Sequence, residues 1–224
     1  MFIELTHNNY HASRDEVFDY YNFAMNSNTS LLSIFPFNAQ YFSDLSKISI
    51  MVDYPYGMGS VGSRCAEVKH ACELGAKAID IVVNHHLLNA EEYGQIINEL
   101  NSYTKICKSY GVIVRLVLEY KLIEEKYIKN LALLLKNAGV EYMITSTTIY
   151  VDDYVDNLII GERIASSGVK SICASAMWLE RHLNIFPTTK NYAIKTNSLN
   201  FIKKYQNMVY NNIGTDKQVL EEIN

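Results

Sequence analysis

Ala78-Ile79-Asp80-Ile81-Val82-Val83-Asn84 is the stretch that decides the fold. It is a short β-branched apolar run with one carboxylate set inside it, and it reads as a strand rather than an amphipathic helix. Seven more runs of this kind punctuate the chain, at residues 1–5, 31–35, 48–52, 112–119, 141–145, 170–174 and 192–195. Between them lie stretches with helical spacing. Residues 13–24 open with Ser13 as a cap and place Val17, Tyr20, Tyr21 and Ala24 on one face, and residues 90–110 repeat Ile96, Ile97, Leu100, Tyr103 and Cys107. Strands alternating with helices predict a parallel sheet with crossover helices, and eight of them close naturally into a (β/α)8 TIM barrel. The expected organisation is one barrel domain over 1–205, with a short last helix at 178–183, followed by a polar tail at 206–224.

Composition agrees with one globular α/β domain and excludes several function classes. The chain has 224 residues, 49% of them hydrophobic, and a net charge of −4. Acidic and basic residues are interspersed, so no basic footprint for nucleic acid and no basic helix for a membrane surface is present. No apolar run reaches the roughly 20 residues that a membrane-spanning helix needs. The first residues lack a basic segment followed by a hydrophobic one, so the chain is expected in the cytoplasm. Cys65, Cys72, Cys107 and Cys173 show no CxxC pairing and no metal-ligand spacing, and read as reduced thiols. Neither a cofactor nor a metal is expected.

Several landmarks occur in a familiar order. Asp53-Tyr54-Pro55-Tyr56-Gly57 is similar to a strand-ending Phe-Pro-x-Gly turn, and residues 67–71 with Gly75-Ala76 resemble the helix and turn after it. Residues 78–84 resemble a strand carrying a catalytic aspartate, Val114 to Glu119 resemble Val-Lys-Val-Ile-x-Glu, and Ala138-Gly139-Val140 resembles Ala-Gly-Ala. Together, over residues 2–203, they resemble the deoxyribose-phosphate aldolase family. The resemblance implies a TIM barrel that acts on a small carbonyl or sugar-phosphate ligand through a Schiff-base lysine. That lysine precedes Thr-Ser-Thr in the family, and here Ile144 precedes Thr145-Ser146-Thr147. The family's second lysine, in Val-Lys-Ala-Ser-Gly-Gly, falls on Cys173. Its paired phosphate-binding glycines become Ala176 and Met177, the arginine beyond them becomes Leu179, and the second phosphate loop reads Lys195-Thr196-Asn197-Ser198.

In such a barrel the active site lies at the C-terminal ends of the strands, and alternate residues of each strand point into the lumen. Alternation assigns the inward phase to Asp80 with Val82, Arg115 with Val117 and Glu119, Ile144 with Ser146, and Cys173 with Ser175. Buried charges must be paired, so Asp80, Arg115 and Glu119 are expected to form one network, either structural or catalytic. Class I aldol chemistry requires a neutral amine. Ile144 has none, and Arg115 stays protonated. A displaced lysine would have to be Lys121 or Lys195. Cys173 is a candidate thiolate, set against its reading as a small buried hydrophobe. His85 and His86 read as a solvated loop, and the glycines from Gly57 to Gly62 as a βα-loop without a P-loop signature. Ser146, Ser175, Thr196, Asn197 and Ser198 offer hydroxyls and backbone N–H groups for a ligand.

Three functions follow. The first is a non-catalytic binding or regulatory homologue, acting as a homo-oligomer or as a partner subunit. The second is a lysine-free lyase or isomerase working through Asp80, Arg115 and Glu119. The third is an aldolase with a displaced lysine.

Overall fold

A computed structural model describes residues 2–150, 153–176, 178, 179, 182 and 193–204. Within them eight parallel strands close into a barrel in chain order. They are β1 (Phe2–His7), β2 (Leu32–Ile34), β3 (Ile48–Val52), β4 (Ala78–Val82), β5 (Ile113–Val117), β6 (Tyr142–Ile144), β7 (Lys170–Ala174) and β8 (Ala193–Thr196). Each coincides with one of the eight apolar runs. The helices are α1 (Arg14–Asn26), α2 (Pro36–Ala39), α3 (Val61–Glu73), α4 (His85–Asn89), α5 (Tyr93–Tyr110), α6 (Lys126–Asn137) and α7 (Tyr154–Ser166). Of the segment expected as a final helix at 178–183, only Trp178, Leu179 and His182 are among the described residues, and the tail at 206–224 lies outside them.

Local chemistry sets the element ends. The Ser13 hydroxyl accepts the Glu16 backbone N–H at 3.2 Å and opens α1, as the cap signal implies. Asp153 caps α7 in the same way, accepting from Val155 and Asp156. Gly111 closes α5 with a left-handed φ of 70°.

Two features differ from the sequence reading. β5 stops at Val117 instead of running to 119, because Glu119 takes a left-handed φ of 45° and turns the chain away from the sheet. His85 and His86 begin α4 instead of a solvated loop, and His85 is buried with its Nε2 2.9 Å from the Leu118 carbonyl.

Alternation along the strands divides the interior into two cores. The outer one packs helices against the barrel wall and contains Leu5, Ile34, Ile50, Ile79, Ile81, Leu116, Met143, Cys173 and Ile194. The inner one fills part of the lumen with Val82, Val117, Ile144, Ile172, Ala174 and Ala193, and Tyr54 and Tyr142 pack on it. Cys173 therefore faces the helices. Its thiol meets the Asn157 carbonyl of α7 at 3.8 Å. The inward positions of β7 are Ile172 and Ala174, so the expected lumen phase for Cys173 and Ser175 is corrected.

Candidate functional site

Register brings the lumen charges together. Asp80 is level with Arg115 on β5, and Glu4 is level with Lys195 on β8. All four side chains are buried, at 1%, 2%, 2% and 4% exposure, so each charge depends on its neighbours for solvation. Arg115 donates from Nε to Asp80 Oδ1 at 2.7 Å and from Nη1 to both Glu4 oxygens at 2.7 and 2.8 Å. Lys195 donates to the other Asp80 oxygen, and its Nζ lies 2.6 Å from the Ser33 hydroxyl. Ser33 and Ser49 donate to the two oxygens of Asp80 at 2.6 and 2.8 Å. The cluster holds two cations and two anions and is neutral as a whole.

This network corrects the expected one. Asp80 and Arg115 do pair, but Glu4 and Lys195 complete the set and Glu119 belongs elsewhere. From its left-handed turn Glu119 reaches the 146–148 loop, where it accepts from the Thr147 backbone N–H at 2.8 Å, from the Thr147 hydroxyl, and from the Ser146 hydroxyl at 3.4 Å. Glu119 thus orders the loop after β6. Thr145 faces outward, donating to Asn157 Oδ1 at 2.8 Å and accepting from Ala174 N at 2.9 Å.

The electrostatics limit what each group can do. Burial pushes the Asp80 carboxyl up, but Arg115 and Lys195 outweigh it and hold Asp80 well below the usual carboxylate range. Burial opposes the charge on Arg115 as well, yet Asp80 and Glu4 raise its pKa further. Neither group exchanges protons near neutrality, which removes support from an acid/base pair made of them. Lys195 shifts the other way. Burial lowers its pKa below that of a free lysine despite the attraction of Asp80. A desolvated lysine is the kind of amine that becomes a nucleophile.

Beside this layer lies a small cavity of about 10 Å³, room for one water at most. Asp80 and Lys195 border it together with Thr6, Met51, Val117 and Ile144, and Tyr54, Thr147 and Thr148 cover it. Ile144 is fully buried in the inner apolar core. Lys121, the other displaced-lysine candidate, lies at the surface and pairs with Asp156 at 3.1 Å. Thr196 and Ser175 are buried, whereas Asn197 and Ser198 line a separate open pocket of about 500 Å³ with His7, Glu16 and Tyr20. Ser198 N donates to the Thr196 hydroxyl at 3.1 Å. Met177 lies outside the described residues.

Sequence reasoning missed Glu4, Ser33, Ser49 and the lumen position of Lys195. A signal was there. Ile3-Glu4-Leu5, Leu32-Ser33-Ile34, Ile48-Ser49-Ile50 and Ile194-Lys195 each set a polar residue beside aliphatic ones at the same parity as Asp80.

Comparison with known proteins agrees with this architecture. The profile of the DeoC/LacD family aldolases matches residues 30–154, more than half of the chain. The deoxyribose-phosphate aldolase of Treponema denticola is 34% identical over 103 residues, which cover 45% of this chain and 47% of that protein. That of Mycoplasmopsis pulmonis is 31% identical over 101 residues, covering 45% of each. The chain thus spans about half the length of the curated relatives it matches. Among solved structures, an aldolase named QR15 superposes with a TM-score of 0.82 at 18% identity, over 96% of this chain and 97% of that one. The deoxyribose phosphate aldolase of Aeropyrum pernix, described as a tetramer, gives 0.78 at 19% identity, covering 92% and 90%. At such identities the structures bear on the fold alone. With its closed eight-stranded barrel and its match to the family profile, the chain belongs to the DeoC/LacD family of aldolases.

Proposed function

We propose that this chain is an aldolase-like barrel in which Lys195 of β8, instead of a lysine on β6, captures a small carbonyl compound as an imine. The observation that carries the reading is the placement of Lys195 Nζ in the lumen, paired with Asp80 and bordering the same cavity as Ile144. In the step proposed, Lys195 first loses its ammonium proton to solvent, because Asp80 is held too low to take it. The free nitrogen pair then attacks the carbonyl carbon. As the C–N bond forms, the C=O π pair moves to oxygen; the oxygen takes up one proton and the nitrogen releases one to solvent, giving a neutral carbinolamine. That oxygen picks up a second proton and leaves as water, and the nitrogen is left as an iminium. Arg115 and Asp80 fix the position of the amine and do not enter the proton balance.

Reaction with a phosphorylated sugar is disfavoured on this reading. In the resemblance, Ala176 and Met177 replace the glycines that give a phosphate close backbone approach, and Leu179 replaces the arginine. Uptake of isotopically labelled acetaldehyde in the presence of borohydride tests the proposal. One equivalent per chain is expected in the wild type and a loss of at least tenfold in Lys195→Met. Equal uptake by the two proteins would refute it.

A second reading has its own support. The small size of the cavity beside Ile144 supports a non-catalytic binding or regulatory homologue. Such a protein would take up no label at any pH.

A further inference from the structure

We propose that Tyr54 sets the size limit on what enters the lumen, so that the amine proposed above meets short unphosphorylated aldehydes and excludes longer or anionic ones. This rests on the Lys195 reading for the chemistry but on separate observations for the gate. Tyr54 belongs to the loop after β3, and its ring packs against the inner apolar core as part of the cover of the cavity. Its hydroxyl donates to the Thr147 carbonyl. Asn8, beyond the end of β1, donates to the Tyr54 oxygen at 3.0 Å and to the Thr148 hydroxyl at 2.8 Å. Three strand ends, those of β1, β3 and β6, are therefore tied across the barrel mouth by one phenol. In the aldolase resemblance the same turn reads Phe-Pro-x-Gly, which has no hydroxyl to make this link.

Both sides of the link are anchored. Asp53, in a left-handed conformation with φ 51°, accepts from Gly59 N at 2.8 Å, pairs with Arg64 Nε at 3.2 Å, and donates its own N–H to Glu67 at 3.0 Å. The Phe35 ring meets Tyr54 edge-on, with centroids 5.8 Å apart. On the far side Glu119 holds Thr147 as described above. With both loops held in this way, opening the link requires the Tyr54 hydroxyl to leave the Thr147 carbonyl. Burial pushes its pKa up to about 12, which keeps it neutral and able to donate across the physiological range. Loss of the hydroxyl frees the end of β3 from Asn8 and Thr147 and leaves the ring, while Asn8 still joins β1 to the loop after β6; loss of the ring removes the cover.

A reporter independent of Lys195 separates the two ideas. Ile144→Cys places a thiol on the cavity wall, and its modification by methyl methanethiosulfonate and by the bulkier anionic sulfonatoethyl reagent is followed by peptide mass spectrometry. With Tyr54 present, the methyl reagent should react at least tenfold faster than the anionic one, relative to their rates on free cysteine. Tyr54→Phe should speed the methyl reagent about three- to tenfold, the worth of one or two net hydrogen bonds. Tyr54→Ala should abolish the discrimination, and Tyr54→Phe keeps the test decisive if the alanine variant does not fold. No discrimination in the parent, or identical rates in the parent and Tyr54→Phe, would overturn the gate. A gate that behaves as stated while no variant traps an aldehyde would instead refute the Lys195 reading and leave Tyr54's role standing.

Discussion

Replacing Arg115 with Met tests the lumen network most severely, because among the described residues this guanidinium alone donates to both Asp80 and Glu4. It makes one bond of 2.7 Å to Asp80, two of 2.7 and 2.8 Å to Glu4, and a 3.4 Å contact with the Ser33 hydroxyl. Methionine fills similar space but leaves Asp80 and Glu4 facing a single ammonium, so one net negative charge stays buried. Breaking a buried pair in this way costs about 3 to 5 kcal/mol. For a chain of this size each kcal/mol lowers Tm by about 2 to 4 °C, so a fall of about 6 to 20 °C is expected. Urea unfolding followed by circular dichroism would give the free energy, and a thermal melt the temperature. A second substitution, Glu4→Gln, removes the stranded charge and should restore at least about 1 kcal/mol to Arg115→Met, although it destabilises the wild type. A loss below about 1 kcal/mol in Arg115→Met, or no recovery in the double variant, would show that the four charges do not act as a unit.

Three other outcomes follow from particular contacts. The rate of aldehyde trapping at Lys195 should rise with pH and level off below 10.5, the ordinary lysine value, because burial lowers its pKa and only the neutral amine reacts; a rate still rising at that pH would contradict this. Cys173→Lys should lose about 2 kcal/mol or more, since it forces an ammonium against α7 rather than into the lumen, and the pair Ile144→Lys with Cys173→Lys should gain no lowered amine pKa over Ile144→Lys alone in a lysine NMR titration. Gly57→Ala should destabilise by well over 1 kcal/mol in chemical unfolding, because φ is +65° and a Cβ there would lie 2.3 Å from the Val83 carbonyl oxygen.

How far the sequence could be read depended on whether the deciding interaction was local. The eight strands were legible because β-branched runs and helical spacing are properties of neighbours in the chain. The pairing of Asp80 with Arg115 was legible too, since both sit mid-strand and parity turns them inward. Glu119 was misplaced by a single left-handed residue that ends β5, and nothing in Leu118-Glu119-Tyr120 signals it. Cys173 was misplaced because the Ala-Ser that follows it fixes an alignment, whereas the side-chain direction is fixed by the pairing of Ala174 with Lys195 across β7 and β8. Glu4 and Lys195 lie at opposite ends of the described chain and meet only when β8 closes on β1. That closure also makes Lys195 a lumen residue, so its surroundings could not be known before the barrel was assembled. The tie between Asn8, Tyr54 and Thr147 spans three loops and is equally non-local.

Peptide mapping of the borohydride-trapped protein decides whether the working amine sits on β8. After brief exposure of the wild type to acetaldehyde and reductant, the reduced ethyl adduct is expected on the peptide containing Lys195, at an occupancy above that of every exposed lysine. Adducts spread over surface lysines such as Lys69 and Lys126, with Lys195 unmodified, would contradict it.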